Sequence, residues 1–294
     1  MPPSRAPLWR GRAAGRSQDG GRVNAAGAGT GASELRLRVI SALVLAAVIL
    51  GVTLFGGWPF RLIWTAVAGL VAYEWLAMVS RRNAVAVGIG VGLAGLVLSF
   101  LPLSGAALAG VSALAGLIAA IVTTQAGNQR LLEACGVAYA LCFALVTPAL
   151  RETPELGLAL IIWTFAVVWL TDIAAYFTGR ALGGPKLLPS VSPKKTWSGA
   201  LGGALAGTLC GTAVWAWFFP GLPSGLWPVL AVSLAASVAS QAGDLFESSI
   251  KRRFGAKDSS QLIPGHGGFL DRLDGYWAVL VFAGLLLYLA RLGH

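Results

Sequence analysis

Charge is what this chain has least of. Asp, Glu, Lys and Arg together make up 12% of its 294 residues and the mean hydropathy is +0.73, which excludes a water-soluble globule, whose surface needs about twice that ionic cover. Cysteine is nearly missing as well. Cys135, Cys142 and Cys210 are the full complement, and all three fall inside apolar runs, so they read as small buried hydrophobes and not as a disulfide framework or metal set. No internal repeat recurs along the chain, and no paired broken helices mark the two halves of an inverted-repeat transporter. Nor is there a soluble module able to read bases, so the net charge of +10 does not point to nucleic acid. Anionic lipid headgroups account for it better.

What the chain has in quantity is apolar length. Stretches of about twenty residues, long enough to cross a bilayer, recur throughout. Their apolarity is continuous and not alternating, which selects helices over a barrel, since each segment must satisfy its own backbone hydrogen bonds in lipid. The expected fold is an all-α, polytopic integral membrane protein with about nine transmembrane helices, at 39–57, 59–79, 84–101, 105–123, 131–150, 157–179, 198–219, 226–247 and 273–291. Basic residues mark the cytoplasmic loops. With the N-terminus inside, only Arg61, Arg151 and Arg291 of the 22 Lys and Arg flank the opposite side, and nine spans leave the C-terminus outside.

Residues 1–33, rich in Gly, Ala and Arg with almost no large apolar groups, read as a disordered basic cytoplasmic tail. A cleavable signal peptide is not expected, because the first apolar run is of full span length, comes late and lacks a small-residue cleavage site after it. The rest divides unevenly. Residues 34–156 hold N-terminal transmembrane helices with short, uninformative loops. Residues 157–294 form a C-terminal transmembrane region with two long polar cytoplasmic loops, 180–197 and 248–272, where any chemistry belongs.

The first loop follows a helix reading "VVWLTDIAAYFTGR". Asp172 lies roughly 10 Å below the expected helix end at about 1.5 Å per residue. An isolated Asp at mid-bilayer costs about 3 kcal/mol, so Asp172 should face the bundle with a partner; a structural polar pair between helices would satisfy that equally. Lys194 and Lys195 in "SPKK" set two ammonium groups before a glycine-rich helix start, an arrangement suited to phosphate oxygens and also to a plain positive-inside signal.

The second loop is denser. Asp244 and Glu247 are three apart at the end of the eighth expected span, and Asp271 and Asp274 three apart at the start of the ninth, so each pair can share a helix face. Such carboxylates can be merely solvated or can cap a helix. Two pairs meeting at one interface, ringed by Lys251, Arg252, Lys257 and Arg272, instead suit a hard cation and phosphates.

From Ser248 the chain reads S-S-I-K-R, four residues, K-D, then S-S-Q-L-I-P-G-H-G-G-F-L-D-R-L-D through Asp274. In residue type and spacing this stretch resembles the phosphatidate cytidylyltransferases, also called CDP-diacylglycerol synthases. "DIAAYFTGR" and "SPKKTW" look like that family's two upstream motifs, so the resemblance covers the second half of the chain. One departure is Ser198, where the family usually has Glu after "SPKKTW".

The resemblance implies that phosphatidate attacks the α-phosphorus of CTP, giving CDP-diacylglycerol and pyrophosphate for phospholipid biosynthesis at the cytoplasmic face of the plasma (inner) membrane. By the same resemblance Asp244 and Asp271 are expected as Mg²⁺ ligands, with Asp274 and Glu247 in or near the coordination shell. Lys194, Lys195, Lys251, Arg252 and Lys257 are expected on phosphates, and Asp172, Ser198 and Arg272 near the substrates. Gly267 and Gly268 would allow close approach to the nucleotide, and His266 would donate to a phosphate or orient Asp271. A second cation and a homodimer are compatible with the family, and the residues decide neither. Two other classes stay open: a CTP-dependent lipid kinase, which would move the γ-phosphoryl group, and a transporter, which would need polar groups near mid-bilayer. For the latter only Glu74 and Glu133 are candidates, and Glu74 in "AYEWL" reads as a helix-packing contact.

Overall fold

A computed structural model describes residues 27–80, 83–101, 129–263 and 267–292. In chain order these form α1 (Gly27–Phe55), α2 (Gly57–Val79), α3 (Ala84–Ser99), α4 (Gln129–Arg151), α5 (Gly157–Leu182), β1 (Lys186–Leu188), β2 (Ser192–Thr196), α6 (Trp197–Phe218), α7 (Leu226–Arg253) and α8 (Leu270–Leu292). The fold is all-α as expected, apart from the short antiparallel β1–β2 hairpin.

Six of these helices, α2 and α4 to α8, are long and apolar enough to cross a membrane. The expectation of nine spans is therefore not met among the described residues. α3, with 16 residues, is about 24 Å long, short of a hydrocarbon core of about 30 Å. In α1 an apolar helical stretch, Leu43–Phe55, is found among the described residues. The span expected at 105–123 lies outside the described residues, as do residues 1–26 of the expected tail; α1 takes in 27–33.

Small residues let these helices meet at the backbone, the usual means of association where lipid is as apolar as the side chains. On α6, Gly199, Gly203 and Gly207 recur every four residues along one stripe facing α5. A Cβ at Gly203 would sit 2.7 Å from the Thr171 carbonyl oxygen, and one at Gly199 2.7 Å from that of Ala175. Thr171 in turn hydrogen-bonds Ser237 of α7 at 2.5 Å, and Ser233 of α7 accepts from Trp163 Nε1 at 3.0 Å.

An aromatic core joins the two halves of the chain. Trp64 of α2 stacks on Tyr276 of α8 with ring centroids 5.0 Å apart, and Tyr139 of α4 stacks on Trp277 of α8 at 4.2 Å. Trp75 reaches into α4 where Gly136 has no side chain, and donates to the Leu132 carbonyl at 2.9 Å.

Polar contacts define two opposite ends. At one, Arg151 at the end of α4 donates to the Thr53 carbonyl of α1 at 2.8 Å, and Arg61 near the start of α2 pairs with Glu152. At the other, Glu74 in the far half of α2 meets the start of α8, and the β1–β2 hairpin meets α7 through Lys195–Asp244 and Arg252–Val191. Both loops singled out by the sequence lie at this second end. α5 runs on to Leu182 and is closed by Gly183 at φ 61°, which sets Asp172 deeper than the expected helix end implied.

Candidate active site

Close approach of α7 and α8 builds the site. A Cβ on Gly243 would lie 2.6 Å from the Asp274 carbonyl oxygen, and one on Gly275 would lie 2.6 Å from Ser240 Oγ. With no side chain between the backbones, the chain neighbours Asp244 and Asp274 come together, and their carboxyl groups are within hydrogen-bonding reach. Asp274 is only 7% exposed, and its Oδ1 accepts from the Gly275 N–H at 2.8 Å. Two carboxylates so placed repel unless positive charge lies between or beside them. Lys195, delivered by β2, pairs with Asp244.

Two turns further along α7, Lys251 bridges two more carboxylates. Its Nζ is 2.7 Å from Glu247 Oε2 and 2.8 Å from Asp271 Oδ1. Glu247 is buried; its Oε2 is held by Lys251, and its Oε1 makes no aligned hydrogen bond. Asp271 is the opposite case: besides Lys251 it accepts the Ser259 N–H at 3.0 and 3.1 Å and the Gly268 N–H at 2.8 Å. It closes the loop before α8 as a helix-start carboxylate does.

Asp172, Asp244, Asp271, Asp274 and Arg272 share a cavity of about 520 Å³, whose remaining wall is apolar and includes Leu45 and Ile49 of α1, Trp64 of α2 and Phe165 and Trp169 of α5. One compartment thus offers charged groups beside hydrocarbon. That suits a ligand that is ionic at one end and apolar at the other.

Other expected residues are placed differently. Lys194 and Lys257 are exposed at this end of the bundle. Arg252 ties backbone together, donating to the Val191 carbonyl at 3.3 Å and the Ala256 carbonyl at 3.1 Å. Ser198 donates to the Gly183 carbonyl and pairs with Thr196, fastening the hairpin to the end of α5. His266 lies outside the described residues. Gly267 adopts φ +85°, and a Cβ there would be 2.7 Å from Asp271 Oδ2. A Cβ on Gly268 would be 2.1 Å from Ser259 Oγ and 2.6 Å from Glu74 Oε2. At these two glycines the close approach in the structure is that of Asp271, Ser259 and Glu74.

Glu74 is the residue that sequence reasoning missed. It is no packing contact: fully buried on α2, it accepts from the hydroxyls of Ser260 at 2.6 Å and Ser259 at 3.1 Å, and from the N–H groups of Phe269 at 2.9 Å and Leu270 at 2.7 Å. The available signal was a lone carboxylate inside an apolar span, which must find donors somewhere.

Among the described residues, no three His, Cys, Asp or Glu side chains gather closely enough to hold a metal by themselves. The facing pair Asp244 and Asp274 nonetheless fits Mg²⁺, which is commonly bound by one or two carboxylates with water and substrate phosphates completing the octahedron. Oε1 of buried Glu247, one turn away and without an aligned partner, supports the same fit.

Residues 36–290 match the model of the cytidylyltransferase family. The chain is 44% identical over 259 residues to a phosphatidate cytidylyltransferase of Brucella suis biovar 1, covering 87% of this chain and 93% of the relative. It is equally similar to that of Brucella abortus biovar 1. To a phosphatidate cytidylyltransferase of Staphylococcus aureus it is 42% identical over 136 residues, 46% of this chain and 52% of the relative.

Proposed function

The chain belongs to the cytidylyltransferase family, and from that membership we propose that it is a phosphatidate cytidylyltransferase of phospholipid biosynthesis. It joins CTP and phosphatidate into CDP-diacylglycerol and releases pyrophosphate. The observation that carries this reading is 44% identity running through 93% of a relative so named. A mixed ionic and apolar cavity supports it independently, because one substrate is a nucleotide and the other a lipid.

In the reaction a phosphate oxygen of phosphatidate attacks the α-phosphorus of CTP. The bond from that phosphorus to the bridging oxygen of the β-phosphate breaks, and pyrophosphate leaves. Phosphatidate is already an anion near neutral pH, so the demand on the protein is to bring two anions together and not to remove a proton. Positioning and preorganised charge meet that demand. Lys195 and Lys251, anchored on Asp244 and on Glu247 with Asp271, present ammonium groups to the phosphates, and Arg272 on the cavity wall adds a guanidinium. Lys194 and Lys257, exposed at the mouth, draw in the triphosphate. The apolar wall of the cavity, beside which Asp172 lies, receives the acyl chains of the lipid.

Mg²⁺ would be held by Asp244 and Asp274, with Asp271 and Glu247 adjoining. Bound there it would supply Lewis-acid neutralisation of the phosphate charge. CTP is cytoplasmic, so the end carrying the hairpin and the loop before α8 faces the cytoplasm of a multi-pass plasma-membrane protein, in keeping with its Lys and Arg.

Purified protein in detergent, given CTP, phosphatidate and Mg²⁺, should release CDP-diacylglycerol and pyrophosphate in equal amounts. Diacylglycerol pyrophosphate with CDP would mean a lipid kinase instead.

A further inference from the structure

We propose that Glu74 is a positioning residue for the reaction: from the N-terminal half of the chain it sets the loop and helix start that carry Asp271 and Asp274. This rests on the cytidylyl transfer proposed above. Glu74 does not line the cavity, so it acts through others.

Burial of a carboxylate in a span is tolerated only where donors replace the lost water, and charge-assisted bonds are the strongest available. Glu74 has four. Oε1 takes the Ser260 hydroxyl and the Phe269 N–H, and Oε2 takes the Ser259 hydroxyl and the Leu270 N–H. Each oxygen therefore holds one donor from the beginning of segment 259–270 and one from its end. The backbone donors are the residue before α8 and its first residue, at a helix start whose N–H groups have no partner within the helix and favour a negative charge.

Asp271 draws on the same segment, taking the N–H groups of Ser259 and Gly268. Ser259 thus gives its hydroxyl to Glu74 and its N–H to Asp271, and the two carboxylates fix one loop jointly. Gly268 is a second, independent sign of the arrangement, since any side chain there would collide with Ser259 and Glu74. Through Asp271 the grip extends to Lys251 and Glu247.

Glu74→Gln preserves size and shape but cannot preserve the contacts. Each oxygen holds one backbone N–H, so whichever becomes the amide nitrogen, one N–H of α8 faces another donor. The expected result is a fall in kcat of about 10²-fold, the scale of a small misplacement of reacting groups. The Mg²⁺ concentration for half-maximal rate should rise, while KM for phosphatidate stays near its original value. Hydrogen exchange at Phe269 and Leu270 should accelerate, which reads the clamp without reference to activity. Trp75→Phe, the adjacent core change, should lower the thermal midpoint and leave the Mg²⁺ requirement alone. If Glu74→Gln does not fold, the Ser259→Ala and Ser260→Ala pair, which removes two of the four donors, carries the same expectation in weaker form.

Unchanged kcat and Mg²⁺ requirement in a folded Glu74→Gln, or in the serine pair, overturn the positioning role. Unchanged exchange at Phe269 and Leu270 overturns the clamp. An unsubstituted protein that makes no CDP-diacylglycerol overturns the reaction itself.

Discussion

Asp244 and Asp274 face one another with their carboxyl groups within hydrogen-bonding reach, and like charges so placed need a cation or a shared proton. If Asp244 and Asp274 act on one ion, Asp244→Asn should reduce kcat by about 10² to 10³-fold, and Asp274→Asn similarly, the range seen when one electrostatic contributor is lost. The double variant should be scarcely worse than either, because groups that act as a unit are not additive. Initial rates across a Mg²⁺ titration check this; a double variant whose loss equals the product of the two single losses would separate the residues into independent roles. These two positions were legible in the sequence as candidates, through their local three-residue spacing to Glu247 and Asp271, although the pair expected to ligate was Asp244 with Asp271. Glu74 was not, because its donors stand 185 to 196 residues away and nothing near "AYEWL" indicates them. The hydroxyl of Ser198 donates to the Gly183 carbonyl, a partner fifteen residues away that its motif does not announce.

Helix pairs, not side chains, decide whether those aspartates meet. Gly243 is the control point on α7: a methyl group there would press on the backbone oxygen of Asp274 at 2.6 Å, and backbone cannot turn aside as a side chain can. Gly243→Ala should therefore spread α7 from α8 by a few tenths of an ångström and lower kcat about ten-fold. Gly90→Ala on α3, where no heavy atom lies within 4 Å, should leave the rate unchanged; parallel rate measurements on monodisperse proteins decide between the two. The six long helices were legible because continuous apolarity of span length has few other meanings. The β1–β2 hairpin was not, since five residues of strand around Pro193 carry no alternation strong enough to stand out, and its pairing depends on the ends of α5 and α6 that hold it.

For the molecule as a whole, the account requires two ends facing different compartments. Asp258 sits in the loop before α8 with the proposed site, and Glu155 in the turn between α4 and α5 with the Arg61–Glu152 pair. Both are exposed. In intact cells a membrane-impermeant maleimide should label Glu155→Cys and spare Asp258→Cys until the membrane is opened. Labelling of both from outside would contradict the assigned orientation. The proposed orientation rests on the basic residues, whose distribution is read from the sequence alone. The joining of the halves by Trp64, Tyr139, Tyr276 and Trp277 is a property of packing that no local pattern announced.

The central claim is that the α-phosphorus of CTP ends on a lipid. Purified protein should be incubated with phosphatidate, Mg²⁺ and CTP labelled with ³²P at either the α or the γ position, and the lipid extracted. The account predicts that α-label enters the lipid as CDP-diacylglycerol while γ-label stays in the aqueous phase as pyrophosphate. Label from the γ position in the lipid, or none from the α position, would contradict it.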